Sequence, residues 1–164
     1  MRRIFFLATF FCSTLMILES CSSARTAVKT NNFKKADVTG SWNLNNITFE
    51  GIPAESIRSL FGEPSYKCFA GSTWNFPNSG NGTYVLTGTG ECASKTQNIV
   101  WSVKPENGTF QFKKLNEGDK AKNIDEGYVL SLTSVSASGL TLKSPVTFGS
   151  TTAYVVLNFL KAGR

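Results

Sequence analysis

Downstream of Asp37 the chain is a succession of short segments in which apolar and polar residues alternate, each closed off by Gly, Pro, Asn or Ser. Period-two alternation puts every second side chain on one face, the pattern of strands that bury one side and wet the other. Eight such segments are predicted, at 38–49, 67–76, 83–89, 97–103, 109–115, 127–135, 139–145 and 151–160. One helical interruption is expected at 53–61. Pro53 suits the first helical position, Gly62 the stop, and Ile57, Leu60 and Phe61 form an apolar stripe.

The second and third strands can be laid against each other. If 77–83 is the connection and Phe76 faces Tyr84, then Trp74 faces Leu86, Ser72 faces Gly88, Ala70 faces Gly90 and Cys68 faces Cys92. Large residues meet large, small meet small, and the two thiols fall within bridging reach. The intervening Thr73, Asn75, Val85, Thr87 and Thr89 suit a water-facing side. A disulfide between Cys68 and Cys92 is therefore expected, closing a loop that contributes about 3 kcal/mol. Two further segments share one chemistry: Trp74, Pro77 and Asn81-Gly82 in the first hairpin, Trp101, Pro105 and Asn107-Gly108 in the second. Asn-Gly supplies the positive backbone angles of a tight turn, and Pro ends the incoming strand.

The inward set that follows from parity is Trp42, Trp74, Phe76, Tyr84, Trp101, Phe110, Phe112 and Tyr128. Small inward residues Ala70, Ser72, Gly88 and Gly90 would leave space at the disulfide end. The last strand is apolar on both faces, with Val155, Leu157 and Phe159 on one and Tyr154, Val156 and Leu160 on the other. It needs cover on both sides, from the 53–61 helix or from a second protomer in a homodimer.

The N-terminus carries an address. Arg2 and Arg3 precede an apolar run of about 15 residues, Ile4 onward, the length of a signal-peptide core and short for a membrane span. Leu18-Glu19-Ser20-Cys21 closes it and resembles the lipobox of bacterial lipoproteins, with a charged residue at Glu19 where a small one is usual. That resemblance implies a signal peptide over 1–20 and a lipid on Cys21, hence a membrane partner. Cys12 follows bulky Phe11 and does not compete. Residues 21–36, rich in Ser, Thr, Lys and Asn, read as a flexible tether before a single domain at 37–164. The full chain has 17 basic and 11 acidic residues. Without Arg2, Arg3 and Glu19 about +5 remains. The lysines, among them Lys34-Lys35, Lys113-Lys114, Lys120 and Lys122, do not interleave with aromatics, so nucleic acid is not an expected partner and a solvated basic surface is.

Eight antiparallel strands opening on Gly40-Ser41-Trp42 resemble the lipocalin family, in which Gly-x-Trp on the first strand closes the barrel floor. A basic residue near the end of the chain packs over that indole, a part Arg164 could take. With the lipobox, the pattern is similar to lipocalin-like outer-membrane lipoproteins of Bacteroidetes-type bacteria. The resemblance implies an all-β, eight-stranded antiparallel up-and-down barrel with one short helix between strands 1 and 2. It also implies a lipid-anchored protein of the outer membrane. Ser22-Ser23-Ala24-Arg25 lacks the acidic residues associated with surface export, so the domain is expected to face the periplasm. A β-sandwich is the competing arrangement, but Cys68, Trp74 and Cys92 are too close together for the immunoglobulin pattern.

The chain has no histidine, which removes Ser-His-Asp and Cys-His catalysis and most metal sites. Glu117-Gly118-Asp119 and Asp125-Glu126 sit in loops, not facing each other across a cleft. No enzyme activity, metal or cofactor is expected. Binding is. A small eight-stranded barrel holds one small ligand or is filled by its own side chains. Trp74, Tyr84, Trp101, Phe112 and Tyr128 are the candidate ligand-binding residues, with the two tyrosine hydroxyls as polar handles for an apolar or amphipathic molecule. The other reading is an interaction module that docks an envelope protein or glycan, or inhibits a hydrolase, through its outer surface.

Overall fold

The computed structural model of the chain describes residues 33–163. The signal segment, Cys21, most of the tether and Arg164 lie outside them. Eight strands form a closed barrel: β1 (Gly40–Glu50), β2 (Thr73–Phe76), β3 (Asn81–Leu86), β4 (Lys95–Lys104), β5 (Thr109–Leu115), β6 (Tyr128–Val135), β7 (Gly139–Phe148) and β8 (Thr151–Lys161). Each pairs antiparallel with the next, and β8 returns to β1 over a long ladder from Trp42↔Lys161 to Glu50↔Tyr154. The barrel is therefore up-and-down, with no free edge. A short helix, α1 (Lys35–Val38), precedes β1 and begins just before the expected domain start.

The inward set follows parity closely. Trp42, Trp74, Phe76, Tyr84, Trp101, Phe110 and Phe112 are all buried, and Tyr128 is half-buried. Leu44, Leu86, Ile99, Leu130, Leu140, Leu142, Leu157 and Phe159 complete one continuous apolar core. Thr73, Asn75, Val85, Thr87 and Thr89 face outward as expected.

Four local expectations are corrected. The short helix expected after β1 is present, but as the 3-10 helix Ala54–Ser56, shorter than the expected 53–61. A nine-residue helix with three apolar residues is marginal, and the chain instead turns Leu60 and Phe61 into the mouth of the barrel, where both are buried. The second strand is only Thr73–Phe76, because Tyr66–Phe69 forms a 3-10 turn that folds Phe69 back over the core.

The register of β2 on β3 is shifted by two residues: Trp74 faces Tyr84, not Leu86. An even shift keeps every face. It arises because the hairpin turns earlier than Asn81-Gly82. Gly80 carries the positive angle (φ 91) and its N–H bonds Pro77 O at 3.0 Å. Gly82 instead sits in β3, where a Cβ would stand 2.4 Å from Asn75 O. At the second hairpin Gly108 does take the left-handed angle (φ 62).

The disulfide forms between Cys68 and Cys92, with Cα atoms 5.2 Å apart, although Cys68 lies on the 3-10 turn and Cys92 in the β3–β4 connection. Finally, among the described residues no helix covers the outer face of β8. Val156 is buried opposite Lys143, whose side chain lies over Tyr154 and reaches Glu50 at 2.7 Å. The aliphatic stem of a lysine suffices for such cover. Leu160 remains half exposed.

The two ends of the barrel differ. One, the helix end, carries α1 and the β2–β3, β4–β5 and β6–β7 turns. The other, the plug end, carries the 51–72, 87–94 and 116–127 connections.

Candidate functional site

At the helix end Trp42 is fully buried and donates its indole N–H to Val38 O at 2.7 Å. Lys161 Nζ stands 4.0 Å from the centre of that ring and donates to Thr39 O at 2.9 Å. The indole is covered by Lys161, the last residue of β8, which pairs directly with Trp42; Arg164 lies outside the described residues. Gly40, at φ 128, takes an angle that side chains rarely adopt. Val38, fully buried, plugs this end from α1, and Lys35 lies 5.1 Å over Trp101. The Gly40 and Trp42 pair is a floor.

At the plug end the chain between β1 and β2 crosses the opening. Leu60 and Glu63 exchange backbone bonds (Leu60 N–H to Glu63 O 3.2 Å, Glu63 N–H to Leu60 O 2.9 Å) around the two-residue turn Phe61-Gly62. Both turn residues have positive φ, 48 and 75. That pair of angles is the hairpin turn usually built with Asn-Gly. Gly takes it freely, whereas a phenylalanine there is strained. The Phe61 ring nonetheless points inward and meets Phe69, Phe112 and Tyr128 edge-on, with centroids 5.5, 5.1 and 5.0 Å away. Phe69 passes the packing on to Tyr84 and Trp74. Beneath it Ser72 Oγ donates to Phe69 O at 2.7 Å and accepts from the Trp74 indole at 2.9 Å.

Two residues beyond Phe61 is Glu63, the one buried charged side chain among the described residues. Its Oε1 lies 2.6 Å from Lys95 Nζ and 2.9 Å from Lys114 Nζ, and accepts from Tyr84 Oη at 3.3 Å. Lys114 also donates to Phe61 O at 2.7 Å, tying the turn to β5. Burial pushes the Glu63 carboxyl up, but hydrogen bonds from Lys95 and Lys114 and the charge of both more than reverse this, so it sits below the ordinary carboxylate range. Burial and then Glu63 push the Tyr84 phenol far up. Burial and then Glu126 push Tyr128 up to about 12. Both phenols are hydrogen-bond donors at neutral pH, Tyr128 to Glu126 at 3.1 Å.

Above the turn lies a cleft of about 480 Å³, lined by Gly62, Lys114, Asn116, Asp119, Ile124 and Tyr128 among others. A second cleft, about 310 Å³, runs along the outer wall between Val100, Gln111, Lys113 and Val129.

Of the five candidate ligand residues, the structure brings Phe112 and Tyr128 into direct contact with Phe61. Tyr84 stands beside them through Glu63 and Phe69, and Trp74 lies one layer deeper. Trp101 belongs elsewhere: it packs on Phe76 and Phe110 toward the helix end, and its buried indole N–H has no partner among the described residues. The space expected beside Ala70, Ser72, Gly88 and Gly90 is not formed. Ala70 and Gly90 are exposed, Ser72 is buried and bonded, and Phe61 and Phe69 occupy the mouth.

Sequence reasoning missed Phe61 as a plug and Glu63 altogether. It also took Lys113 and Lys114 as solvated. Lys113 bonds Ile124 O at 2.5 Å and Lys114 holds the plug, because loops fold down onto both strand ends.

No protein-family model matches the chain, nor does any curated protein match it in sequence. Among solved structures it is similar to bovine odorant binding protein in complex with a selenium-containing odorant, at 12% identity and TM-score 0.45, covering 80% of this chain and 74% of that one. The same bovine protein with its natural ligand gives 12% identity, TM-score 0.45 and coverage of 80% and 76%. Its deswapped triple mutant gives 14%, 0.45, 78% and 76%. The barrel itself stands on the closed strand order described above.

Proposed function

We propose that this chain is a binding protein whose barrel takes up one small apolar or amphipathic molecule at the plug end, and that a lipid on Cys21 tethers it to the outer membrane, facing the periplasm. The observation that carries the binding reading is the plug. This end is closed by a single strained turn, whose ring stands in a slot of Phe69, Phe112 and Tyr128 beneath an open cleft. Strain kept at one residue of an otherwise regular barrel marks a place where structure serves something besides folding. The anchor rests on Leu18-Glu19-Ser20-Cys21 behind an apolar run, and the orientation on the absence of acid in Ser22-Ser23-Ala24-Arg25.

An apolar fluorescent probe should bind the purified chain at about one per molecule and quench indole emission, since Trp74 lies 5.5 Å from Phe112. Thr87→Ala, on the outer face, should leave that binding unchanged. Cys21→Ala should abolish fatty-acid labelling in cells while the probe still binds, which separates the anchor from the barrel. Tryptophan emission untouched at saturating probe would end the binding reading. The outer-wall cleft, where Val129 is 53% exposed, would then favour docking of an envelope protein or glycan.

A further inference from the structure

The plug joins two unlike groups at a short spacing. Phe61 fills an aromatic slot. Glu63, two residues on, fills a polar one made of Lys95, Lys114 and Tyr84. Seen from the barrel, the segment presents a flat apolar ring and, two residues on, a carboxylate. The polar slot is not balanced by its occupant. Two ammonium groups face one carboxylate within the slot, while Asp119, Asp125 and Glu126 line the cleft above it. Both lysines remain reachable, with side chains 35% and 22% exposed, and Lys114 lines the cleft above. Three features weaken the hold of the plug: the left-handed angle at Phe61, only two backbone bonds across the turn, and a carboxylate whose contacts another carboxylate can reproduce.

We infer that Phe61 and Glu63 are the chain's own stand-in for its ligand, and that the molecule displacing them is a compact amphipathic acid, with one flat apolar group and one carboxylate received by Lys95, Lys114 and the Tyr84 hydroxyl. The inference rests on the binding reading above and names the ligand class for that site. An exchange of one carboxylate for another leaves no buried charge unpaired, which is the condition for opening the mouth at modest cost. A neutral molecule of the same shape would instead leave Glu63 to be rehoused or compete with it. The site thus discriminates by charge as well as by shape.

The test compares phenylbutanoate with phenylbutanol by isothermal titration of the purified chain. In Glu63→Gln the competing charge is gone, and the acid should bind at least about tenfold tighter than to the native chain. The alcohol should change less than about threefold under the same substitution. Adding Lys114→Gln should remove the gain. Phe61→Gly, which empties the aromatic slot and suits the left-handed angle, should strengthen binding of both compounds. If Glu63→Gln does not fold, Glu63→Ala in the Phe61→Gly background carries the comparison: acid preferred over alcohol by about tenfold, with the preference lost on adding Lys114→Gln. Equal responses of acid and alcohol would overturn the inference and leave the binding reading standing. Neither compound binding to a folded Phe61→Gly, with its Cys68–Cys92 bridge intact, would remove the binding reading itself.

Discussion

At the helix end, Trp42 is sealed from an ordinary backbone angle by an indole N–H on a nearby carbonyl, a partly desolvated lysine over the ring, and a buried valine. At the plug end, Phe61 is sealed by contacts of similar extent but from a backbone angle it does not favour, beside a buried carboxylate held by two lysines. Both ends exclude water from the same aromatic column. The first closure has no strain to release and no group to exchange. The second has both. Closure alone therefore says little about function, and the way in which it is achieved says more.

The largest expected effect breaks the floor. Trp42→Ala should destabilise the fold by about 3–5 kcal/mol, the range for a fully buried aromatic, read as a lower midpoint in urea unfolding. A loss under about 1 kcal/mol would mean the floor can collapse around the gap.

The next effect sharpens the contrast at the plug. Ordinarily alanine is better tolerated than glycine inside regular structure. At Phe61 the order should reverse: Phe61→Gly should be more stable than Phe61→Ala by about 1 kcal/mol, because only glycine takes the left-handed angle without penalty. Both variants lose the same ring contacts to Phe69, Phe112 and Tyr128, so their difference isolates the backbone. Alanine proving the more stable would remove the strain from the argument.

The same contrast divides what was legible in the sequence. The floor was readable because its parts are regular: parity puts Trp42 inward, and Gly40 precedes it by a fixed spacing. Its basic cover, Lys161, lies inside the β1–β8 pairing, directly opposite Trp42. The eight strands were readable for a similar reason, since alternation survives a two-residue slip, whereas the expected disulfide forms from outside the ladder, between the Tyr66–Phe69 turn and the β3–β4 connection. The plug was not. It depends on contacts between segments far apart in the chain, Phe61 with Phe112 and Glu63 with Lys95 and Lys114, and no local period encodes these. Helix propensity beyond Ser56 was overruled by the burial of Leu60 and Phe61 in the mouth. Phe112 and Tyr128 followed from strand parity, and Lys95 and Lys114 share the inward parity of β4 and β5, whereas Glu63 reaches them only because the 51–72 connection folds over the opening.

The smallest expected effect is a slope rather than a break. Burial raises the Glu63 carboxyl and its two lysines lower it further, so the folded group ionises below its ordinary range. A carboxyl depressed on folding adds stability that is fully present above its unfolded value, about 4.3, and that is lost as pH falls through the lower folded value. The other groups facing it in the plug are Tyr84 and Tyr128, whose phenols burial pushes the opposite way, into the alkaline range, so neither contributes in acid. At the floor, Trp42 meets a carbonyl and a lysine, neither of which titrates as a carboxylate does. Unfolding free energy measured from pH 6 down to pH 3 should therefore fall more steeply in the native chain than in Glu63→Gln, and the excess should belong to the plug end. A Trp42→Leu chain, with its floor weakened, should keep that excess in full, since the two ends share no ionisable pair. Superimposable slopes in native and Glu63→Gln protein would show that the carboxylate is not held by Lys95 and Lys114 in solution, and the two ends would then differ in backbone strain alone.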